Sequence, residues 1–240
     1  MKGLVLAAGR GSRLKNLTKE SHKCEMLVSG RMLVDLLIES MNGAGISDLA
    51  VCSGYLREQV ASHFPTEFHN PLWHSSNMVF SLLLASDWLE TQETIVSYAD
   101  IIIPSSLLQS MRSTDADICI PVDLGWENLW TARFGNPLID SETLIYDSDH
   151  NLTEIGNRPE SLVDVEAQFM GLVKITPQGW ARLKSMLGGL TLANILRLDM
   201  TSMLFMAVKS GINVRCLPTN EIWCEVDSEA DLAVANDLFP

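Results

Sequence analysis

The chain has 240 residues, 47% hydrophobic and 20% charged, with 17 Lys+Arg against 30 Asp+Glu and a formal net charge of -13. That balance excludes disorder and suits one α/β domain around a sizeable core. The acidic surface argues against nucleic acid as a partner, since phosphate backbones demand basic patches, and no apolar run approaches the ~20 residues that span a bilayer.

Residues 2–7 (KGLVLA) read as a buried strand, since the apolar run is shorter than the ~7–15 residues of a signal peptide and Gly9 and Arg10 follow soon after. Residues 32–44 have the spacing of an amphipathic helix, 48–54 of a second strand and 55–64 of a helix. The segment 76–89 is helical in spacing, with Ser76 or Asn77 as its N-cap. Residues 94–103 (TIVSYADIII) form a β-branched, apolar central strand, and 105–111 and 116–122 continue the helix–strand alternation. Such alternation implies βαβ units and hence a Rossmann-like, mostly parallel sheet with helices on both faces. The rhythm breaks over 123–165, an acid-rich stretch with two tryptophans, which suggests a small inserted β region or lid in a single domain spanning 1–240. Alternation resumes at 167–176, with helices to about residue 210, strands at 212–218 and 221–226 and a last helix from Glu229. The five cysteines (Cys24, Cys52, Cys119, Cys216 and Cys224) are odd in number, widely spaced and without a C-x-x-C, the pattern of reduced cytoplasmic thiols.

Against the acidic background, Arg10, Arg13, Lys15, Lys19 and Lys23 crowd into the stretch LVLAAGRGSRLKNLTKESHK. A P-loop is excluded because no G-x-x-x-x-G-K-[ST] run exists. The dinucleotide fingerprint fails because Leu14 stands where the third glycine belongs. What is left is a surface turn with solvated lysines, or a loop whose backbone N–H groups and cations wrap a triphosphate. The pattern LAAGRGSRL-x-x-LT-x-x-x-x-K resembles the signature of the nucleotidyltransferases that activate sugar phosphates and choline phosphate. Asn16 stands at that family's usual proline, and His22 at the proline before Lys23.

That resemblance implies a nucleotide-diphospho-sugar transferase type of fold. It implies nucleotide contacts from Leu6, Ala7, Ala8, Gly9, Arg10, Gly11 and Ser12, and catalytic roles for Arg13 and Lys23. It further implies a metal-binding aspartate near residue 100 and a second carboxylate late in the chain. Asp100 ends the central strand, and Asp227 stands directly before Ser228-x-x-Asp231, a variant capping box, at a strand–helix junction. Both then lie on the carboxyl edge, where open α/β sheets bind ligands. Glu225 is a second candidate on the same strand. The resident metal is expected to be Mg²⁺, shared between these carboxylates and phosphates. Ser53, Gly54 and Asn77 are expected around the nucleotide, although Asn77 serves equally as a cap.

The segments WENLWTARFGNPLIDSETLIYDSDHNLTEIGNRP and AQFMGLVKITPQGW resemble the bacterial phosphocholine cytidylyltransferase-like subgroup. This implies CTP and a small phosphorylated or phosphonic acid acceptor, with pyrophosphate released. Trp126 and Trp130, at i and i+4, share a helical face that suits either packing or cation–π contact with an ammonium group. Arg133 and Arg158 are candidates for the acceptor's anion. The alternatives are a sugar-1-phosphate nucleotidylyltransferase using UTP, TTP or GTP, and a nucleotide-binding module without turnover. A cytoplasmic location is expected, and a homodimer is compatible with this reading.

Overall fold

The computed structural model describes residues 1–14 and 17–240; Lys15 and the Asn16 position of the loop lie outside the described residues. The chain begins with β1 (Lys2–Ala7), two short 3-10 turns at Ser12–Leu14 and Lys23–Glu25, and a hairpin of β2 (Leu27–Val28) and β3 (Arg31–Met32). There follow α1 (Leu33–Gly43), β4 (Asp48–Ser53), α2 (Arg57–Ala61), β5 (Thr66–His69), α3 (Met78–Leu84), α4 (Ser86–Leu89), β6 (Thr94–Tyr98), β7 (Ile101–Ile102), α5 (Ser105–Ser113) and β8 (Ile118–Asp123). The irregular middle holds α6 (Trp126–Phe134), the antiparallel hairpin β9 (Leu144–Tyr146) and β10 (Leu152–Ile155), and β11 (Gln168–Phe169). The chain closes with β12 (Leu172–Ile175), α7 (Pro177–Leu187), α8 (Leu192–Arg197), α9 (Met200–Lys209), β13 (Arg215–Thr219), β14 (Cys224–Glu225) and α10 (Glu229–Leu238).

Local sequence explains the main elements. In α1, Leu33, Val34, Leu37 and Met41 recur on one face and are buried. Thr176 caps α7 by accepting from the Gly179 N–H, with Pro177 at the first helical position. Ser228 caps α10 in the same way by accepting from the Asp231 N–H.

The main sheet is mixed and mostly parallel. β1 lies between β4 and β6 and runs parallel to both; β5 extends the β4 edge in parallel. β12 pairs antiparallel with β6 on one side and β8 on the other, and β13 runs parallel along the far edge of β8. β11 and β12 lie along the same edge of β8 with their registers two residues apart. The irregularity falls at Met170–Gly171, where Gly171 has φ 72° and its carbonyl accepts from the Tyr98 N–H at 3.0 Å. The expected single strand over 94–103 is two: it breaks after Tyr98, and Asp100 occupies the break.

Helices cover both faces, and alternate residues of β1 enter different cores. Leu4 joins Val79, Leu82, Trp180, Leu183, Met203 and Leu204 of α3, α7 and α9, together with Cys52 and Cys216. Val5 joins Val34, Leu37, Met41, Leu107, Met111 and Trp126 of α1, α5 and α6, together with Cys24. A third, smaller cluster unites Val28, Leu33, Ile102, Cys224, Val226 and Ala235. The β9–β10 hairpin is no free flap: Leu144, Leu152 and Ile155 are buried in the first core, and the Leu152 N–H donates to the Val214 carbonyl at 2.8 Å. No described helix is long and apolar enough to cross a membrane.

Candidate active site

The carboxyl ends of β1, β6 and β14 converge on one cluster. Asp100, Glu225 and Asp227 each offer an oxygen, and these atoms lie within 4.8 Å of one another. The Lys23 ammonium sits among them and donates to both Asp100 and Asp227. Arg13 reaches the other oxygen of Asp227 at 2.5 Å and Asp140 at 3.3 Å. Lys23 is 6% exposed, so its charge is held by these neighbours and not by water. Burial alone would lower its pKa, but Asp100, then Asp227 and Glu225, raise it well above the ordinary lysine value. Burial would raise the Asp227 pKa, but Lys23, then Arg13 and Arg133, overcome it and hold the carboxyl below its usual range. Glu225 moves the opposite way, raised by burial and then by Asp100 and Asp227.

Two clefts meet at this cluster. The first, of about 310 Å³, is lined by Leu6, Ala7, Ala8, Gly9, Gly11, Ser12, Arg13 and Lys23 from the N-terminal loop, and by Asn70, Trp73, Asn77 and Ser81 opposite. Gly11 has φ 66°, and a Cβ there would lie 3.0 Å from Lys23 Cδ, so glycine is required both by the backbone and by the close passage of the lysine stem. The second cleft, of about 220 Å³, is walled by Tyr98, Trp130, Phe169 and Trp223 and edged by Asp140, Glu142, Asp199 and Glu225. Arg13, Met78, Tyr98 and Asp227 line both.

The expected stiffening proline before Lys23 is replaced by a hydrogen-bonded histidine. His22 is 1% exposed; its Nδ1 accepts from the Cys24 N–H at 3.1 Å, which leaves Nε2 to donate to the Gly9 carbonyl at 3.1 Å. The ring thereby ties the glycine loop to the 3-10 turn that carries Lys23. Burial holds the imidazole neutral by lowering its pKa to about 4.

Other expected residues fall elsewhere. Arg10 is exposed, its guanidinium 5.6 Å from the Tyr55 ring centre, and lines neither cleft. Ser53 is fully buried and donates to Glu67, away from both clefts. Gly54 also stays out of them and instead shapes the loop: a Cβ there would lie 2.5 Å from the Ala8 carbonyl oxygen. Asn77 lines the first cleft and accepts from the Met78 N–H at the head of α3. Trp126 is buried in the second core and only Trp130 reaches the second cleft, its ring centre 6.2 Å from that of Trp223. Arg133, expected at an acceptor anion, is buried by ion pairs to Asp231 and Glu225, so it reaches neither cleft. Arg158 is exposed on the loop after β10 and lines neither cleft.

Asn70 belongs to the turn NPLWHSSNMVF, which the sequence offers as a wall for the base, whereas Trp223, Asp140, Glu142 and Phe169 escape sequence reasoning. Asn70 is 1% exposed; its side-chain amide donates to Ser76 and Ser81 at 2.9 Å each and its side-chain oxygen accepts from the Leu72 N–H, so it frames the wall of the first cleft. An Asn-Pro turn after a short strand was the available signal. Trp223 sat unremarked in a β-like run, and Asp140, Glu142 and Phe169 come from segments whose spacing does not show which way they face.

The donor set fits a hard divalent cation. It is all oxygen, it combines three carboxylates, and among the described residues the buried Oδ1 of Asp100 has no hydrogen-bond partner. The family model of the MobA-like NTP transferase domain matches residues 3–158. A CTP:phosphoglutamine cytidylyltransferase of Campylobacter jejuni is 32% identical over 253 residues, covering 98% of each chain. A 2-aminoethylphosphonate cytidylyltransferase of Lancefieldella rimae is 30% identical over 105 residues, covering 42% of this chain and 43% of that protein. The solved structure of the inositol-1-phosphate CTP transferase from T. maritima shares the fold, with a TM-score of 0.78 at 22% identity over 99% of this chain and 94% of that one. The family match across the glycine loop and central strands, joined to a relative similar from end to end, shows that this chain belongs to the MobA-like NTP transferase family.

Proposed function

We propose that the chain is a CTP-dependent cytidylyltransferase that moves CMP onto a small phosphorylated or phosphonic acid acceptor and releases pyrophosphate. The observation that carries this is the junction of two clefts at Arg13, Lys23, Asp100 and Asp227. The first cleft takes the nucleotide. Its glycine loop presents backbone N–H groups and the Lys23 and Arg13 charges to the triphosphate, and Asn77 and Ser81 face the nucleoside side. The second takes the acceptor, whose phosphate or phosphonate is directed to the junction by Arg13, the basic residue shared by both clefts.

An acceptor oxygen attacks the α-phosphorus in line, forming the new P–O bond as the bond to the pyrophosphate oxygen breaks. The nucleophile is already anionic at neutral pH, so positioning and charge neutralisation supply the rate enhancement and no general base is needed. Asp100 and Asp227, with Glu225 beside them, would hold Mg²⁺, which when bound neutralises phosphate charge. Aromatic walls edged by carboxylates suit an acceptor that also bears an amine.

The test is pyrophosphate release across four NTPs and a panel of phosphocholine, 2-aminoethylphosphonate, phosphoglutamine and hexose 1-phosphates. CTP with a nitrogen-bearing acceptor should be the productive pair, and Asp100→Ala or Lys23→Ala should lower its turnover by about 100–1,000-fold. Release only with UTP and a sugar phosphate would overturn the reading, as would near-normal release from either variant.

A further inference from the structure

Arg133 lines neither cleft, yet two of the three clustered carboxylates depend on it for their placement. It projects from α6 into a wholly buried position, flanked by the Trp130 and Phe134 rings at 5.1 and 4.8 Å. Its Nε donates to Asp231 Oδ1 at 2.8 Å, and its Nη2 donates to Glu225 Oε2 at 3.0 Å. Asp231 is fully buried, and its other oxygen accepts from the Asp227 N–H at 3.0 Å. One guanidinium therefore holds Glu225 directly and Asp227 through a single intermediary.

Asp100 joins the same frame by its backbone, since its carbonyl accepts from the Val226 N–H at 2.8 Å and Glu225 pairs with Ile101 across β14 and β7. The short strand and helix start that carry Glu225 and Asp227 thus have two lateral ties: β7 on one side and Arg133 on the other. Among the described residues β14 pairs with the two-residue β7 and not with the main sheet, which does not supply this support.

We infer that Arg133 is a positioning residue for the divalent-cation site: it fixes the Glu225 carboxylate and, through Asp231, the backbone that aims the Asp227 carboxylate. This rests on the reading that these carboxylates hold the metal. Magnesium demands near-ideal octahedral geometry at short distance, so small displacements of its ligands are costly. Partners that orient metal ligands are typically worth about 10–100-fold in metal affinity. A lysine at 133 retains the charge but cannot hold two carboxylates in one planar fork.

The experiment measures Mn²⁺ bound to the protein with a non-hydrolysable cytidine triphosphate, by electron paramagnetic resonance, for wild type, Arg133→Lys, Arg133→Met and Asp227→Ala. Thermal unfolding, the Mg²⁺ dependence of turnover and the KM for CTP at saturating metal are recorded alongside. Arg133→Lys is expected to unfold cooperatively and to lose about tenfold or more in Mn²⁺ affinity. Its half-saturating Mg²⁺ should rise in parallel, with the KM for CTP unchanged once metal saturates. Should Arg133→Met fail to fold, Arg133→Lys decides. A lowered Tm with wild-type Mn²⁺ affinity and Mg²⁺ dependence would make Arg133 a structural residue only and overturn the inference. If Asp227→Ala binds Mn²⁺ as wild type does, the underlying metal assignment fails first, and the inference falls with it.

Discussion

Lys23 carries its charge in the space that a divalent cation would also occupy, bonded to Asp100 and Asp227 at once. Two unit charges about 4 Å apart interact by roughly 4 kcal/mol at an effective dielectric of 20. The ammonium and a bound metal would therefore compete for the same carboxylates until a triphosphate offered the lysine another partner. Lys23→Met is accordingly expected to bind Mn²⁺ more tightly than wild type when nucleotide is absent, by about tenfold, a fraction of that interaction, while losing turnover. Weaker binding in calorimetry would show that the lysine does not oppose the metal. His22 is legible in the sequence only as a missing proline; beside its local bond to the Cys24 N–H, its bond to the Gly9 carbonyl is tertiary geometry that spacing does not encode. Its folded pKa of about 4 lies below the ordinary 6.5. The unfolded chain thus binds the proton first, and stability present above pH 6.5 is lost as pH falls toward 4. The loss reaches roughly 3 kcal/mol at most. His22→Gln should flatten the decline of Tm between pH 7 and 4.5, and a slope equal to wild type would remove His22 from that account.

At the scale of elements, the end of β4 presses on the end of β1 with no room to spare. The Tyr55 N–H donates to the Ala8 carbonyl at 3.0 Å, and a Cβ on Gly54 would meet that same oxygen. Gly54→Ala must displace the glycine loop, at a cost of about 1–3 kcal/mol for an overpacked site. The expected outcome is a lower Tm together with a raised KM for CTP, measured on the purified variant. An unchanged KM would mean that the loop adjusts without disturbing the nucleotide cleft. The α/β alternation, β1, α1, β4 and the start of α10 were legible because each is long and strongly patterned, and Asp100 was correctly placed at a strand end. The pairing direction of β12 was not legible, because alternation of helices and strands says nothing of a chain that doubles back after the β9–β10 hairpin. β2, β3, β7, β11 and β14 are each two residues long, too short for periodicity, and β14 carries Glu225. Arg133 shows the corresponding weakness at the site: a solitary arginine reads as a ligand for an anion until Asp231, 98 residues away, is seen beside it.

Across the whole molecule, 30 acidic residues surround a loop rich in cations, and the contrast is local enough to survive. Salt screens exposed charges beyond about 8–10 Å, whereas Lys23 and its carboxylates are shielded from water and interact at contact distance. The family's phosphate chemistry is therefore compatible with an acidic chain, and Asp140 and Glu142, just before the β9–β10 hairpin, add carboxylates to the second cleft. The three cores have one further property. Each encloses at least one cysteine: Cys52 and Cys216 in the first, Cys24 in the second and Cys224 in the third. All five thiols are buried, and burial raises every one of their pKa values, to about 11 for Cys119 and about 12 for Cys24, Cys216 and Cys224. Because the thiolate is the reactive form, alkylation is confined to molecules that have opened, and the cysteine that reacts first identifies which core opened. The protein thus carries its own internal clocks for local unfolding, with Cys24, next to Lys23, timing the glycine loop itself.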